Sequence, residues 1–187
     1  MHAFWISSTE IRTIVTLALA ILVLVFTGCS LHPRPLGAAT SELPEHITTG
    51  RIYTIQEVRA QIPAMYFGDD SYAEVNSRWL HAWYGEYRAQ LSRVGIVHWD
   101  TRFDCNRFVE FYASLAQAYF YRLTFHDDKP ARALALGPIW YVREGGRSRH
   151  ALVQALTERG RIFIDPQTGK EVKLTPTERS SAYLQVF

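Results

Sequence analysis

Cys105 is the one cysteine of the globular part of the chain, and it opens a predicted helix. Asp104 precedes it and can cap that helix, where free backbone N–H groups and the helix dipole favour a thiolate. A thiolate nucleophile needs a base and a group that orients the base. The pattern predicts nucleophilic catalysis at Cys105, although cysteines are also often buried as small hydrophobic side chains.

His150 and Asp165 are the candidate base and orienting group, because they fall on two consecutive predicted strands. A two- or four-residue loop between the strands pairs Leu156 with Arg161 and places His150 and Asp165 as diagonal neighbours on one face. Register therefore allows a hydrogen bond between imidazole and carboxylate. Asp165 also precedes Pro166, a combination that is typical of a turn without a catalytic role.

A tetrahedral intermediate needs hydrogen-bond donors for its oxyanion. The backbone N–H of Cys105 is available at the helix start, and Trp99 and His98 are candidate side-chain donors just upstream. Trp99 is alternatively a core residue. The sequence has no His-x-x-x-His or Cys-x-x-Cys pair and no glycine-rich loop between a strand and a helix, so we expect no metal site and no cofactor.

These residues, in this order, resemble the transglutaminase-like group of papain-fold cysteine peptidases and amidases. The similarity covers roughly residues 99–175 and depends on three segments: Asp104-Cys105, Arg149-His150-Ala151-Leu152-Val153 and Ile162-Phe163-Ile164-Asp165-Pro166. It implies Cys105 as nucleophile, His150 as base and Asp165 as the residue that orients it. Arg149 departs from the family, which often has Gly or Ser before the histidine.

The resemblance implies an enzyme, namely a thiol hydrolase or acyltransferase whose substrate is a peptide, a protein or peptidoglycan. The alternative is a non-catalytic binding module on the same fold, because fold does not determine function. The loop Glu144–Arg149 is either a solvated hairpin loop or a basic lip that steers anionic peptides or cell-wall fragments.

The N-terminal residues predict a cell-envelope location. Ile14–Phe26 is an apolar run of 13 residues after Arg12, shorter than the roughly 20 residues of a membrane span and typical of a secretory signal. Thr27-Gly28-Cys29-Ser30 follows and resembles a bacterial lipobox, although Phe26 stands where that pattern prefers Leu. The resemblance implies lipidation of Cys29 and anchoring at the periplasmic face, in the outer rather than the inner membrane. An uncleaved N-terminal anchor is the alternative.

Composition predicts one globular domain after this leader. Of the 187 residues 48% are apolar and 20% are charged, a composition that excludes wholesale disorder. We divide the chain into a signal peptide (1–28), a lipidated N-terminus and linker (29–50) and the domain (51–187). The net charge of +2 gives no indication of a nucleic-acid partner. The aromatic content of 13% indicates a packed core or a groove that contacts sugar or peptide. The oligomeric state is not predicted.

Hydrophobic periodicity and capping patterns predict helices first and strands afterwards. Capping boxes at Thr54 and Ser71 open a short helix that ends at Pro63 and a long one over Tyr72–Val94. The buried face of the long helix comprises Val75, Trp79, Trp83, Tyr87, Leu91 and Val94. A third helix covers Cys105–Arg122, and strands follow over Ala133–Val142, Arg149–Leu156, Arg161–Asp165 and Glu171–Leu174. Short turns imply an antiparallel sheet, so the predicted class is α+β with a papain-like or transglutaminase-like arrangement.

Overall fold

The computed structural model describes residues 43–62, 66–96, 98–127, 131–145 and 148–187. The predicted signal peptide 1–28, the predicted lipidation site Cys29 and most of the predicted linker 29–50 lie outside the described residues. The first described strand begins at Thr48, three residues before the predicted start of the domain at residue 51. No helix in the described ranges is long and apolar enough to cross a membrane.

All four described helices have side-chain caps that set their first residue. Helix α1 (Ile55–Gln61) has the predicted capping box at Thr54. Helix α2 (Ser77–Arg93) is capped by Asn76, and α3 (Cys105–Thr124) is capped by Asp104 as predicted. A short helix α4 (Pro176–Ser180) precedes the C-terminal segment.

Eight strands of the described residues form one mixed sheet. Their bounds are β1 Thr48–Thr54, β2 Ser71–Val75, β3 Ala133–Leu134, β4 Leu136–Val142, β5 Arg149–Thr157, β6 Gly160–Asp165, β7 Lys170–Glu171 and β8 Leu184–Gln185. The main order is β1-β2-β5-β4-β8, with β3 beside β2, β6 beside β5 and β7 beside β6. Strand β2 runs parallel to β3 and β5, while the other pairs are antiparallel.

The predicted fold class, helices followed by an antiparallel papain-like or transglutaminase-like sheet, is wrong. Two strands precede the long helices, and β2 pairs in parallel with strands from the second half of the chain. Ser71–Val75 is a strand rather than the first turn of a helix, because Tyr72 and Ala73 pair with β1 on one side and β3 on the other. Asn76 is the true cap of α2, and its Oδ1 accepts hydrogen bonds from the N–H groups of Arg78 and Trp79.

The two long helices cover one face of the sheet with an aromatic core. Trp79, Trp83, Tyr87 and Leu91 are buried as predicted, while Val94 is 61% exposed because α2 ends before it. The Trp83 ring stacks on Trp79 at 4.9 Å and meets the edge of Tyr119 at 4.7 Å. This packing joins α2 to α3 and fixes where α3 begins.

Strand β5 separates two cores because its side chains alternate between the faces of the sheet. Ala151, Val153 and Ala155 point to the helices, whereas Leu152 packs on the other face with Ile139, Tyr141, Phe163 and Leu174. The predicted hairpin register is confirmed: Leu156 pairs with Arg161, and Thr157 with Gly160. The loop therefore has two residues, Glu158 and Arg159.

Candidate functional site

A cleft of about 590 Å³ opens at the N-terminal end of α3. One wall is the first turn of α3, the opposite wall comes from β4 and the C-terminal segment, and a tight turn before α3 closes one end. The lining side chains are charged, amide or aromatic for the most part: Thr101, Arg102, Asp104, Asn106, Arg107, Glu110, Trp140, Tyr183 and Leu184.

Asn106 is held in a single orientation at the centre of the cleft. Its Nδ2 donates to Asp104 Oδ2 at 3.2 Å, and its Oδ1 accepts from Trp140 Nε1 at 2.8 Å. The other oxygen of Asp104, Oδ1, accepts from the backbone N–H groups of Asn106 and Arg107, which caps the helix. Helix cap, amide and indole therefore form one network with a fixed shape.

Ion pairs position the charged side chains of the cleft. Arg107 Nη1 donates to Glu110 Oε2 at 2.7 Å, and Arg102 Nε donates to Asp100 Oδ1 at 3.0 Å. Hydrogen bonds from Arg102 lower the pKa of Asp100 below its ordinary value. Positively and negatively charged side chains alternate along this wall of the cleft. The cleft therefore presents both hydrogen-bond donors and acceptors rather than a surface of a single charge.

Two aromatic rings face the cleft from different elements. Trp140, on β4, is half-buried and is fixed through its indole N–H, while Tyr183 is 52% exposed. The Arg149 guanidinium lies over the Tyr183 ring, 5.4 Å from its centroid. Tyr183 reaches this place because its backbone N–H donates to Trp140 O at 3.0 Å, which lays the C-terminal segment along β4.

Cys105 starts α3 as predicted, on the face of the sheet that the helices cover. The thiol is half-buried and donates weakly to Asn106 Oδ1 at 3.9 Å. Burial raises its pKa above the ordinary value of 9.0 and the Asp104 carboxylate adds to this, while the backbone N–H groups of Ala151, Asn106 and Cys105 oppose it. Burial therefore opposes the thiolate that the helix start was expected to favour.

His150 and Asp165 share the opposite face of the sheet. The buried His150 ring packs edge-on against Tyr141 at 6.0 Å, and its pKa is lowered by burial and by Arg143, with Asp165 acting in the other direction. Asp165 shapes the turn that follows it, since its Oδ1 accepts from Gln167 N–H at 2.9 Å. A role in the turn is the alternative to a catalytic role that the sequence suggested for Asp165.

The structure brings His150 and Asp165 together on one face but places Cys105 on the other, next to Ala151. Among the described residues no hydrogen bond joins the thiol to the imidazole. A catalytic group of Cys105, His150 and Asp165 stays a prediction from the sequence alone. Strand alternation explains the separation, because adjacent residues of β5 point to opposite faces.

The two candidate oxyanion donors lie in the loop between α2 and α3. His98 is exposed and lines a second cleft of about 390 Å³ beside the first, and Trp99 is 55% exposed. The alternative interpretation of Trp99 as a core residue does not fit this exposure. Within the described ranges, no group of three or more His, Cys, Asp or Glu side chains is placed to hold a metal ion.

The sequence analysis did not identify the amide and aromatic side chains that line the cleft. Asn106 follows directly from the predicted cap, since a helix that starts at Cys105 puts residue 106 in its first turn. Trp140 lies in a predicted strand, but only the sheet order shows that it faces α3. Tyr183 had no local signal, because it reaches the cleft through pairing of β8 with β4.

Comparisons with known proteins point to a different set of folds from the one predicted. No protein-family model matches the sequence, and no curated protein matches it. Among solved structures, one described as a PSL1a–E64 complex matches with a TM-score of 0.53 and 20% identity, over 73% of this chain and 51% of that one. The lectin of Polyporus squamosus bound to Neu5Acα2-6Galβ1-4GlcNAc matches with a TM-score of 0.53 and 18% identity, over 73% of this chain and 49% of that one.

The chain thus spans about half the length of these two structures and is similar to them in fold. The predicted resemblance to transglutaminase-like cysteine peptidases is wrong, because the fold matches these structures, one of which is a lectin. The thiol hydrolase or acyltransferase function that followed from it is wrong for the same reason, and so is the description of the chain as an enzyme and a thiol protease. A peptide or protein substrate and a lipoprotein signal find no support in these comparisons.

Proposed function

We propose that the described domain is a non-catalytic carbohydrate-binding module whose site is the cleft at the start of α3. One observation carries the proposal: the cleft combines fixed amide and charged groups with two aromatic rings. This was the second of the two functions considered from the sequence, a binding module without catalysis.

Carbohydrate chemistry suits such a lining. Each sugar hydroxyl both donates and accepts, so it pairs well with carboxylates, guanidinium groups and side-chain amides held at fixed positions. The C–H face of a sugar ring is apolar and packs against an aromatic ring. Trp140 and Tyr183 supply such rings, and the cleft lies within the range of about 300–1,000 Å³ that small-ligand sites usually occupy.

The similarity to the Polyporus squamosus lectin supports the proposal at the level of fold, and the ligand of that lectin is an oligosaccharide that contains GlcNAc. N-acetylglucosamine is also part of peptidoglycan, which was one of the ligands expected from the sequence. We therefore propose glycans that contain N-acetylglucosamine, peptidoglycan strands among them, as the first ligands to test.

A cell-envelope location belongs to the same proposal and is supported by the sequence alone. The apolar run Ile14–Phe26 has the length of a secretory signal. Fractionation of cells that express the full chain should recover it with the envelope. Recovery in the cytosolic fraction would contradict this location.

The binding test uses the full chain on an array of neutral and acidic oligosaccharides, with calorimetry on the strongest ligand. Tyr183→Ala removes an exposed ring of the cleft and should weaken binding roughly tenfold, the loss expected when an aromatic contact is removed. Tyr121→Ala is the matched control: Tyr121 is 64% exposed and lies near the far end of α3. No bound glycan, or equal losses in the two variants, would contradict the proposal.

A further inference from the structure

A second cleft of about 390 Å³ adjoins the first at the loop between α2 and α3. Gly95, Ile96, His98, Asp100, Arg102 and Phe103 line it. Arg102 belongs to both clefts, so the two volumes meet at one side chain. Together they lie at the upper end of the size range for small-ligand sites, which is more room than one sugar ring needs.

The wall between the clefts is a rigid turn. Asp100 and Phe103 exchange backbone hydrogen bonds, from Phe103 N–H to Asp100 O at 2.9 Å and from Asp100 N–H to Phe103 O at 3.3 Å. Asp100 Oδ1 also accepts from Arg102 N–H at 2.8 Å. The Phe103 ring packs edge-on against Phe108 of α3 at 4.8 Å, which fixes the turn to the helical core. A preformed wall of this kind lowers the entropy cost of binding.

The second cleft repeats the chemistry of the first. Ile96 and Phe103 give it an apolar surface, and His98, Asp100 and Arg102 supply donors and acceptors. Asp100 engages the Arg102 guanidinium through Nε and Nη2. A guanidinium carries five N–H donors, so Arg102 keeps further donors for ligand groups on either side of the wall.

We infer that the two clefts form one extended site for a linear oligosaccharide that crosses Arg102. This inference rests on the proposed carbohydrate binding and adds the class of ligand: a chain of several sugar units rather than a single terminal sugar. Units in the first cleft contact Trp140 and Tyr183, and the units that follow contact His98 and the apolar surface beside it.

The test measures dissociation constants of the full chain for β1-4-linked N-acetylglucosamine oligomers of increasing length, from the monosaccharide to the tetrasaccharide. The tetrasaccharide should bind roughly tenfold tighter than the disaccharide, because it fills both clefts. His98→Ala should weaken tetrasaccharide binding about fivefold, the loss of one hydrogen bond. The same variant should therefore show a smaller increase in affinity from the disaccharide to the tetrasaccharide than the parent chain does.

The matched control is His126→Ala, since His126 is also exposed but follows the opposite end of α3. Equal affinity for disaccharide and tetrasaccharide overturns the extended site and leaves the proposed function standing. An unchanged length dependence in His98→Ala overturns it as well. Absence of binding by every oligomer, together with an empty glycan array, overturns the proposed function and the extended site with it.

Discussion

Asp104 acts on three neighbours at the residue scale. One oxygen caps α3 through the N–H groups of Asn106 and Arg107, and the other fixes the Asn106 amide. Its charge also raises the pKa of the Cys105 thiol, after the larger effect of burial. Burial and the charge of the side chain that caps the helix therefore both favour the protonated thiol.

This arrangement predicts slow alkylation of Cys105. At neutral pH the thiol should react slowly with iodoacetamide, and the rate should rise as pH passes above 9, since the thiolate is the reactive form. Asp104→Asn keeps an acceptor oxygen for the helix cap but removes the charge, so the rate at pH 8 should increase severalfold. Asp127→Asn, beyond the far end of α3, is the control; fast labelling of the parent chain at pH 7 would contradict the prediction.

His150 gives the protein a dependence of stability on pH. Burial holds its pKa below the ordinary value of 6.5, so the unfolded chain binds this proton at a higher pH than the folded chain does. Stability from this group is complete above about pH 6.5 and falls as pH decreases toward the folded-state pKa. Urea midpoints should therefore decrease between pH 7 and pH 5.5.

His150→Phe removes the titrating group and should flatten the pH profile in that interval. Carboxylates whose pKa is lowered in the folded state, such as Glu57 and Glu178, change stability at lower pH. They should therefore contribute little to the slope between pH 7 and pH 5.5. An unchanged slope in the variant would show that another group causes the decrease.

At the scale of elements, α2 and α3 are joined by the Trp83 ring. It is fully buried between Trp79 and Tyr119, and its indole N–H has no partner within the described residues. Trp83→Ala should cost about 3–5 kcal/mol, typical of aromatic truncation in a core. Trp83→Phe should cost less, because it keeps a ring and removes an unpaired buried donor. Urea unfolding of both variants checks the order.

Strand β4 passes so close to the C-terminal segment that only glycine fits at position 137. A Cβ there would lie 1.9 Å from the carbonyl oxygen of Val186, and the backbone must move to relieve the overlap. Gly137→Ala should lower the thermal unfolding midpoint strongly. Gly85→Ala, in the middle of α2 with open space around it, should instead stabilise by about 0.5–1 kcal/mol. Similar midpoints for the two variants would contradict this assignment.

Local patterns predicted the elements whose stability is local. The Asp104 cap, the capping box at Thr54 and the register of the β5–β6 hairpin follow from residues within a few positions of one another. Strand β2 was missed because its partners β3 and β5 lie far along the sequence, so nothing near Ser71 distinguishes a strand from a capped helix. The error in fold class begins at this segment.

The candidate site likewise has parts that local sequence predicts and parts that depend on distant segments of the chain. The start of α3 was predicted, but the chemistry assigned to it was not supported by the comparisons. Spacing alone could not tell which of two adjacent residues of β5 faces the thiol, and the structure places Ala151 there. Tyr183 depends on pairing between β8 and β4, which no local pattern encodes.

For the whole molecule, the opposite ends of α3 have different surfaces. The cleft of about 590 Å³ lies at its first turn, while the exposed rings of Tyr121 and Phe125 lie at its last, and a helix of 20 residues is about 30 Å long. Substitutions at the far end therefore separate effects on folding from effects on binding. The control variants above use this distance.

Pairing of Leu184–Gln185 with β4 has a consequence for solubility. This short strand covers the free edge of β4, and Phe187 is buried beyond it. A shortened chain that lacks residues 184–187 would expose a row of unpaired backbone groups on a strand rich in apolar side chains, which is a template for intermolecular pairing. We expect such a chain to aggregate into β-rich assemblies that bind thioflavin T, while the intact chain stays dispersed.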